Sequence, residues 1–277
     1  KAGWGSEDFE KTVTEETDFP EAWTSKVDRE LGWEIIQDHL GLLEEARQAR
    51  LTLLRNGYKL SEIEVERNDK RKLGFKVKLY NGTTGHPVPT GFDAERLVWL
   101  HVIVKDSEGE VVFQSGDLDP NGDVRDLHSS YVHDHKLPLD KQLVSLQSRF
   151  LTRNIRGGER EEILPINHSF SPLPFVRPPT RPIILSGQPD DVRKHRKVIP
   201  PGGHRWAEYT VPRRDLGEAG PWQVVVELKA AMVPVNLVHT VKEMGFDFGM
   251  TTDEVVENLM AGHEVLWTRQ ATVPSPE

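Results

Sequence analysis

The chain has 277 residues, with 44 acidic and 35 basic side chains and a formal net charge of −9 at pH 7. This charge disfavours a nucleic-acid partner, because phosphate binding requires a concentrated basic face. The chain contains no cysteine, which excludes disulfide bonds and thiol catalysis. No apolar run approaches the roughly 20 residues that a membrane-spanning helix needs.

The first predicted element is a long amphipathic helix. Residues 1–58 comprise a polar, acidic arm and then, over about residues 21–56, apolar residues at three- and four-residue spacing, which is the period of a helix with one apolar face. Gly32 and Gly41 are positions at which such a helix could break, and Gly57 is expected to end it. Because a single helix cannot bury its own apolar face, we expect it to pack on the rest of the chain or on a partner.

Residues 59–277 are predicted to form a β-domain. Apolar and polar side chains alternate over residues 73–80 and 95–105, as in strands that bury one face. Short strands separated by glycine and proline turns favour a mainly β fold, namely an antiparallel β-sandwich (Ig-like) that follows the long N-terminal helix and carries long irregular insertions. The largest insertion is expected at about residues 119–201. The later predicted elements are strands at 206–211, 223–231 and 264–273, and a short helix opened by a capping box at 251–254.

A loop between two predicted strands, residues 81–91, contains His86. Gly85, Gly91, Pro87 and Pro89 restrict its backbone to a few turn conformations, so the imidazole of His86 is held in place. A histidine fixed in this way is suited to act as a ligand. The alternative interpretation is that His86 only hydrogen-bonds backbone carbonyls and stabilises the turn.

A second candidate site lies in the acidic segment that follows the early strands. Asp117, Asp119, Asn121 and Asp123 place oxygen atoms at alternate positions around a glycine, as in loops that wrap Ca²⁺. The bidentate glutamate expected at the twelfth position is missing, and His128 stands there. The alternative is an Asp-rich turn without a metal, since an Asn-Gly pair favours tight turns by itself.

Three histidines close together in sequence form a third candidate site. His128, His133 and His135 could bind Zn²⁺ or Cu²⁺, and the last two, two residues apart, would project from one face of a strand. No cysteine, and no glutamate at a suitable spacing, completes an established zinc pattern. The alternative is a polar loop in which these side chains only form hydrogen bonds.

The order of several segments resembles the haem-free β-domain that ends many bacterial multihaem c-type cytochromes. No single segment is a catalytic signature, and the resemblance lies in their succession from Leu73 to the C-terminus. The segments are Asn81–Gly91, Gln114–Asp119, Leu146–Phe150, Arg156–Arg160, Leu173–Pro178, Arg193–Arg196 and Ile199–Gly203.

The resemblance implies a haem-free subunit or domain of a multihaem c-type cytochrome electron-transfer assembly. Haem c is attached through Cys-x-x-Cys-His, and this chain departs from the family in having no cysteine, so the haem would be held by a partner polypeptide or by a removed portion. The chain is then expected to be periplasmic or extracellular, to assemble as a hetero-oligomer, and not to be an enzyme on its own. His86, His128, His133 and His135 become candidate axial haem ligands, or hydrogen-bond donors to such a ligand.

Two further functional hypotheses come from the residues alone. The first is a secreted or cell-surface binding module in which Ca²⁺ stabilises the sandwich. The second is a metalloenzyme that uses the His128, His133 and His135 cluster. The sequence contains neither a Gly-x-Ser-x-Gly motif nor a glycine-rich phosphate-binding motif, which weakens the case for an enzyme of those kinds.

Overall fold

The computed structural model describes residues 5–91, 93, 96–153, 159–162, 183–185, 188–190, 192–217, 220–242 and 250–276. The chain divides into two compact units, residues 1–54 and 55–277. Among the described helices, none has an apolar stretch long enough to cross a bilayer.

The first unit is helical. It contains α1 (Glu7–Glu10), a 3₁₀ turn (Glu21–Trp23) and most of α2 (Lys26–Gly57), whose 32 residues confirm the predicted long helix. The helix does not break at Gly32 or at Gly41. Gly32 lies against the indole of Trp23, and a Cβ there would come within 1.6 Å of the ring. This glycine therefore allows the arm to approach the helix closely.

Arg29 ties the N-terminal arm to α2. Its side chain is buried, and Nε and Nη2 donate to the two carboxylate oxygens of Glu10 at 2.9 and 2.7 Å. Nη1 donates to the carbonyls of Trp23 and Thr24 at 3.1 and 2.7 Å, and the guanidinium lies 4.7 Å from the ring centroid of Phe19. Bidentate pairing between Arg and a carboxylate is directional, so this single cation fixes the path of the arm.

The second unit contains two four-stranded antiparallel sheets, which confirm the predicted mainly β, sandwich-like fold. The strands are β1 (Tyr58–Leu60), β2 (Glu64–Asn68), β3 (Lys72–Asn81), β4 (Leu97–Lys105), β5 (Val111–Ser115), β11 (His204–Pro212), β12 (Trp222–Ala231) and β13 (Glu264–Val273). The first sheet has the order β1-β3-β11, with β2 also paired to β3, and the second has the order β13-β12-β4-β5. The strands predicted at 206–211, 223–231 and 264–273 are therefore present.

Alternating side chains of these strands form the core. On β3, Leu73, Phe75, Val77 and Leu79 are buried, while the intervening residues are mostly more exposed. β12 repeats the pattern on the second sheet, where Val224, Val226, Leu228 and Ala230 are buried. Burial of one face per strand is what gave the sequence its two-residue period.

The segment predicted as an irregular insertion contains short elements. These are α3 (Ser130–His133), β6 (Arg149–Arg153), β7 (Glu159–Glu162), β8 (Ile183–Leu185), β9 (Gln188–Asp190) and β10 (Val192–His195). β6 pairs with β7 and β10, and β8 pairs with β9, all antiparallel. The proline-rich run 171–182 lies outside the described residues.

Two helices precede the last strand: α4 (Val235–Lys242) and α5 (Thr252–Ala261). α5 opens with the predicted capping box, in which the Thr251 hydroxyl and the Glu254 carboxylate each accept from the other residue's N–H. Val256 of α5 packs with Val235 and Val238 of α4, a helix that the sequence pattern did not predict.

Two glycines with positive φ offer a matched test of how closely Gly116 approaches the backbone of β4. Gly116 (φ +74°) would place a Cβ 2.0 Å from the carbonyl oxygen of Leu100, whereas Gly109 (φ +89°) has no atom within 4 Å. We expect Gly109→Ala to cost about 1–2 kcal/mol of unfolding free energy, from the left-handed backbone alone. Gly116→Ala should cost at least about 3 kcal/mol, because backbone must also move. Equal losses of stability for the two variants in urea unfolding would contradict the close approach of Gly116 to the Leu100 carbonyl.

Candidate functional site

The side chain of Asn81, at the end of β3, organises the loop that carries His86. This buried amide donates through Nδ2 to the carbonyls of His86 at 2.6 Å and of Ile199 at 3.1 Å. Its Oδ1 accepts from the N–H and the hydroxyl of Thr83, both at 2.8 Å. One side chain therefore fixes the loop at two points and ties it to the segment that precedes β11.

A second contact closes the other side of the loop. Val88 and Ile199 form an antiparallel bridge with N–H to carbonyl distances of 2.9 and 2.8 Å, and the Val88-Pro89 peptide is cis. Between these anchors, the side chain of His86 is exposed. The structure thus presents the imidazole of His86 to solvent from a backbone that is held on both sides.

A small polar pocket lies beside this loop. Its volume is about 120 Å³, and its lining comprises Pro87, Pro89, Thr90, Gly91, Asp93, Arg196 and Val198. Asp93 is buried and accepts from the hydroxyl of Ser148 at 2.5 Å, whereas Arg196 is exposed. The pocket next to Pro87 therefore contains both an exposed guanidinium and a buried carboxylate.

In the acidic loop, the candidate calcium ligands bind protein groups. The Oδ1 of Asp119 accepts from the N–H groups of Asn121 and Asp123 at 2.8 and 3.0 Å, and its Oδ2 accepts from Ser129 at 2.5 Å. Asp117 lies instead 2.6 Å from a guanidinium nitrogen of Arg125. The described part of the chain contains no group of three or more His, Asp or Glu side chains arranged to hold a metal ion. Calcium binding by Asp117, Asp119, Asn121 and Asp123 stays a prediction.

Asp123 is the most perturbed acid of this loop. It is buried, and its carboxylate accepts from the N–H of Asn236 at 2.9 Å. Burial, together with the nearby charge of Asp119, raises its pKa to about 7, although the Asn236 hydrogen bond acts in the opposite direction. The site therefore holds a carboxyl group that is partly protonated at neutral pH.

The three clustered histidines have different environments. His128 is buried, with Nδ1 3.7 Å from a carboxylate oxygen of Asp126. Burial tends to raise the pKa of Asp126, but hydrogen bonds from His128 and the charge of Arg149 hold it below its usual value. His133 and His135 are exposed. His133 is the last residue of α3, and His135 has a left-handed backbone conformation (φ 59°), so neither lies on a strand as predicted.

The two exposed histidines border a groove that sequence reasoning missed. Its volume is about 760 Å³, and it is lined by Leu127, Val132, His133, His135, Lys136, Leu137, Pro138 and Leu139. Leu127 and Leu139 are 61% and 39% exposed, so two leucines of this lining are open to solvent. The signal in the sequence was a set of leucines interspersed with the histidines. Asn81 was also given no role, although an Asn before a glycine at a strand end is a common turn former.

Comparison with solved structures finds a penta-heme cytochrome c552 from Thermochromatium tepidum, with 16% sequence identity and a TM-score of 0.44. The match covers 80% of this chain and 41% of that chain, so this chain spans less than half of that cytochrome's length. No family model matches the sequence, and no curated protein matches it. The function is therefore argued from the residues themselves.

Replacing the anchoring amide tests the architecture of the His86 loop. Asn81→Ala removes two donors and one acceptor from a buried position, so we expect a loss of about 2–4 kcal/mol in unfolding free energy and faster hydrogen exchange at Val88 and Ile199. Thr83→Val is the matched control, since it removes only the hydroxyl. The control should cost about 1 kcal/mol. A control variant as damaging as Asn81→Ala would show that the amide is not the anchor.

Stability should depend on pH through Asp123. As pH rises from about 3.8 to about 7, the unfolded chain loses this proton while the folded chain keeps it, so folding stability falls across that window. Asp123→Asn cannot ionise and keeps an oxygen acceptor for Asn236. We expect this variant to match the parent near pH 4 and to exceed it by up to about 4 kcal/mol above pH 7. Parallel stability profiles for both proteins in urea unfolding between pH 4 and pH 8.5 would contradict this.

Proposed function

We propose that this chain is a haem-free subunit or domain of a multihaem c-type cytochrome assembly, and that the groove beside His133 and His135 meets a haem carried by the partner. The order of segments in the sequence supports the first part. The second part rests on one observation: an open apolar groove with two exposed imidazoles at its rim.

The residues of this groove suit a haem edge. A porphyrin is apolar and planar around an iron that accepts imidazole nitrogen, so a site for its edge needs aliphatic lining and a reachable histidine. Leu127, Leu137 and Leu139 supply the lining, and His133 is 83% exposed in its side chain. Since the chain has no cysteine, it contributes no covalent attachment.

Each part of the groove has a chemical role in this proposal. The leucines exclude water and lower the local dielectric, which shifts the potential of a bound redox centre. Lys136, whose Nζ lies 3.1 Å from a carboxylate oxygen of Asp134, places an ammonium at the rim where a propionate would be exposed. Haem supplies one-electron transfer when bound, and electron transfer would therefore be a property of the assembly.

His86 is a second place where the chain can donate an imidazole. It is exposed on a fixed loop, and Arg196 in the adjoining pocket can pair with a carboxylate. The buried His128 is the weakest candidate of the four, because its side chain is only 6% exposed. We therefore propose His86, His133 and His135 as the residues to test for axial ligation.

The long helix provides the surface for the protein partner in this proposal. In the first unit taken by itself, large apolar side chains of α2 are exposed by 43% or more: Val27, Leu31, Ile35, Leu40, Leu42, Leu43 and Leu53. Apolar side chains at this density on one helix are typical of a surface that is covered in an assembly. A haem-bearing polypeptide is the occupant we propose, in a periplasmic or extracellular compartment.

The direct test is to isolate the chain under mild conditions from its source. We expect a Soret absorption band to travel with a second polypeptide that carries Cys-x-x-Cys-His motifs, identified by intact mass. Since the chain has no cysteine, any covalently attached haem c must belong to that partner. A colourless preparation without a partner would overturn the proposal.

Histidine variants test ligation once the partner is in hand. We expect loss of the responsible imidazole in the double variant His133→Ala/His135→Ala, or in His86→Ala, to move the Soret and visible bands and to weaken binding by about tenfold or more. His39→Ala is the matched control for the spectrum, because His39 is an exposed histidine on α2 that is not a candidate ligand. Unchanged spectra in all variants would exclude these residues as ligands. Such a result would not contradict the proposed association with the partner.

Charged substitutions test the helix. Leu42→Glu and Leu43→Glu introduce carboxylates at exposed positions, so the far-UV circular dichroism spectrum and melting temperature should stay the same. Partner binding should fall by about tenfold or more, since a charge would be buried in the interface. Glu45→Gln is the control on the same exposed stretch. Partner binding that tolerates both leucine variants would remove α2 from the interface.

A further inference from the structure

β11 has one edge to which the described part of the chain adds no strand. It lies at the end of the first sheet, and all nine of its residues are in register with β3. An unpaired edge of this length is uncommon in soluble proteins, which usually shorten, bend or cover such edges. The groups that this edge presents therefore indicate what it can bind.

One end of the edge is covered by a side chain. The Oε1 of Gln142 accepts from the N–H of Thr210 at 2.7 Å, and its Nε2 donates to the carbonyl of Thr210 at 3.0 Å. The amide of Gln142 thus takes the place that a peptide group of a neighbouring strand would have. It also shows that the backbone groups of Thr210 point away from β3.

The backbone groups of three more β11 residues also point away from β3. Alternate residues of an antiparallel strand direct their N–H and C=O groups to opposite neighbours. Since Thr210 points outward and the carbonyl of Gly203 accepts from Asn81 at the end of β3, the outward residues are His204, Trp206 and Glu208. Their backbone donors and acceptors face the open edge.

The side chains of these residues share the outer face of the sheet. Trp206 lies opposite Lys78 in the register, with the ammonium groups of Lys76 and Lys78 at 4.6 and 5.5 Å from its ring centroid. His204 and Glu208 are exposed on either side of Trp206. The edge therefore carries an aromatic residue between one basic and one acidic residue.

We propose that β11 pairs with β11 of a second copy of this chain, antiparallel, about a twofold axis at Trp206. In this register Trp206 faces Trp206 of the second copy. His204 of each copy faces Glu208 of the other copy. Cross-strand aromatic pairs and pairs of opposite charge both stabilise a sheet. The first sheet of one copy and the first sheet of the other, with four strands each, become one continuous sheet of eight strands.

Among registers whose axis passes through one of the outward residues, the charges favour the axis at Trp206. An axis at Glu208 would oppose two glutamates, and an axis at His204 would oppose two histidines and run off the strand. With the axis at Trp206, Thr210 and its Gln142 cover face Gly202, a turn residue with φ +66° where the chain has left the strand. The covered end and the turn therefore lie just outside the paired stretch. This inference is independent of the proposed function.

Sedimentation equilibrium of the full chain tests the pairing. The parent should be a dimer, and Glu208→Lys should raise the dissociation constant about tenfold or more, since it places a lysine opposite His204. The double variant His204→Glu/Glu208→Lys exchanges the two charges and should restore the parent value. A rescue of this kind cannot come from a loss of folding.

A proline variant tests the backbone. Glu208→Pro removes an N–H that β3 does not use, so the monomer should keep its circular dichroism spectrum while the dimer is lost. A parent chain that stays monomeric at its highest soluble concentration would overturn the proposal. So would a dimer whose dissociation constant in Glu208→Lys and in Glu208→Pro is the same as that of the parent chain.

Discussion

The side-chain amide of Asn81 is the contact on which this end of the β-domain depends. Its two donor hydrogens and its acceptor oxygen are all used, on the carbonyls of His86 and Ile199 and on Thr83. A buried amide with every capacity satisfied fits only one arrangement of its neighbours. Because Ile199 lies shortly before β11, the same side chain fixes both the loop that presents His86 and the point at which the edge strand starts.

In the acidic loop, protein groups already occupy carboxylate oxygens that a metal ion would need. Asp119 accepts from two N–H groups and from the hydroxyl of Ser129, which is how a short polar side chain stabilises a turn. The local cost appears at Asp123, where burial beside Asp119 disfavours the charged form. Oxygen-bearing side chains at alternate positions are therefore compatible both with a metal-binding loop and with a hydrogen-bonded turn. Contacts with the rest of the chain decide which of the two forms.

Periodicity predicted the parts of the fold that local burial controls. The long helix, the strands around Phe75, Trp99 and Val226, and the capping box at Thr251 all leave a signal within a few residues. α4 left none, since Val235–Lys242 is rich in β-branched residues and is helical because it packs on α5.

The same limit explains what was missed at the candidate site. Ser129 caps α3 by accepting from Val132, so the histidine segment is a helix end and not a strand. The leucine-lined groove depends on side chains brought together by that turn, and the role of Asn81 depends on a carbonyl 118 residues away. No short window of sequence contains such contacts.

Gln142 has an evolutionary consequence. Its amide ends the open edge of β11 without belonging to any strand, and it lies on a surface loop where substitutions are well tolerated. Exchange of this one residue for a smaller one would free another pair of backbone groups on β11. A lineage could thereby lengthen or shorten its self-association surface by a point mutation, with the buried core left as it is.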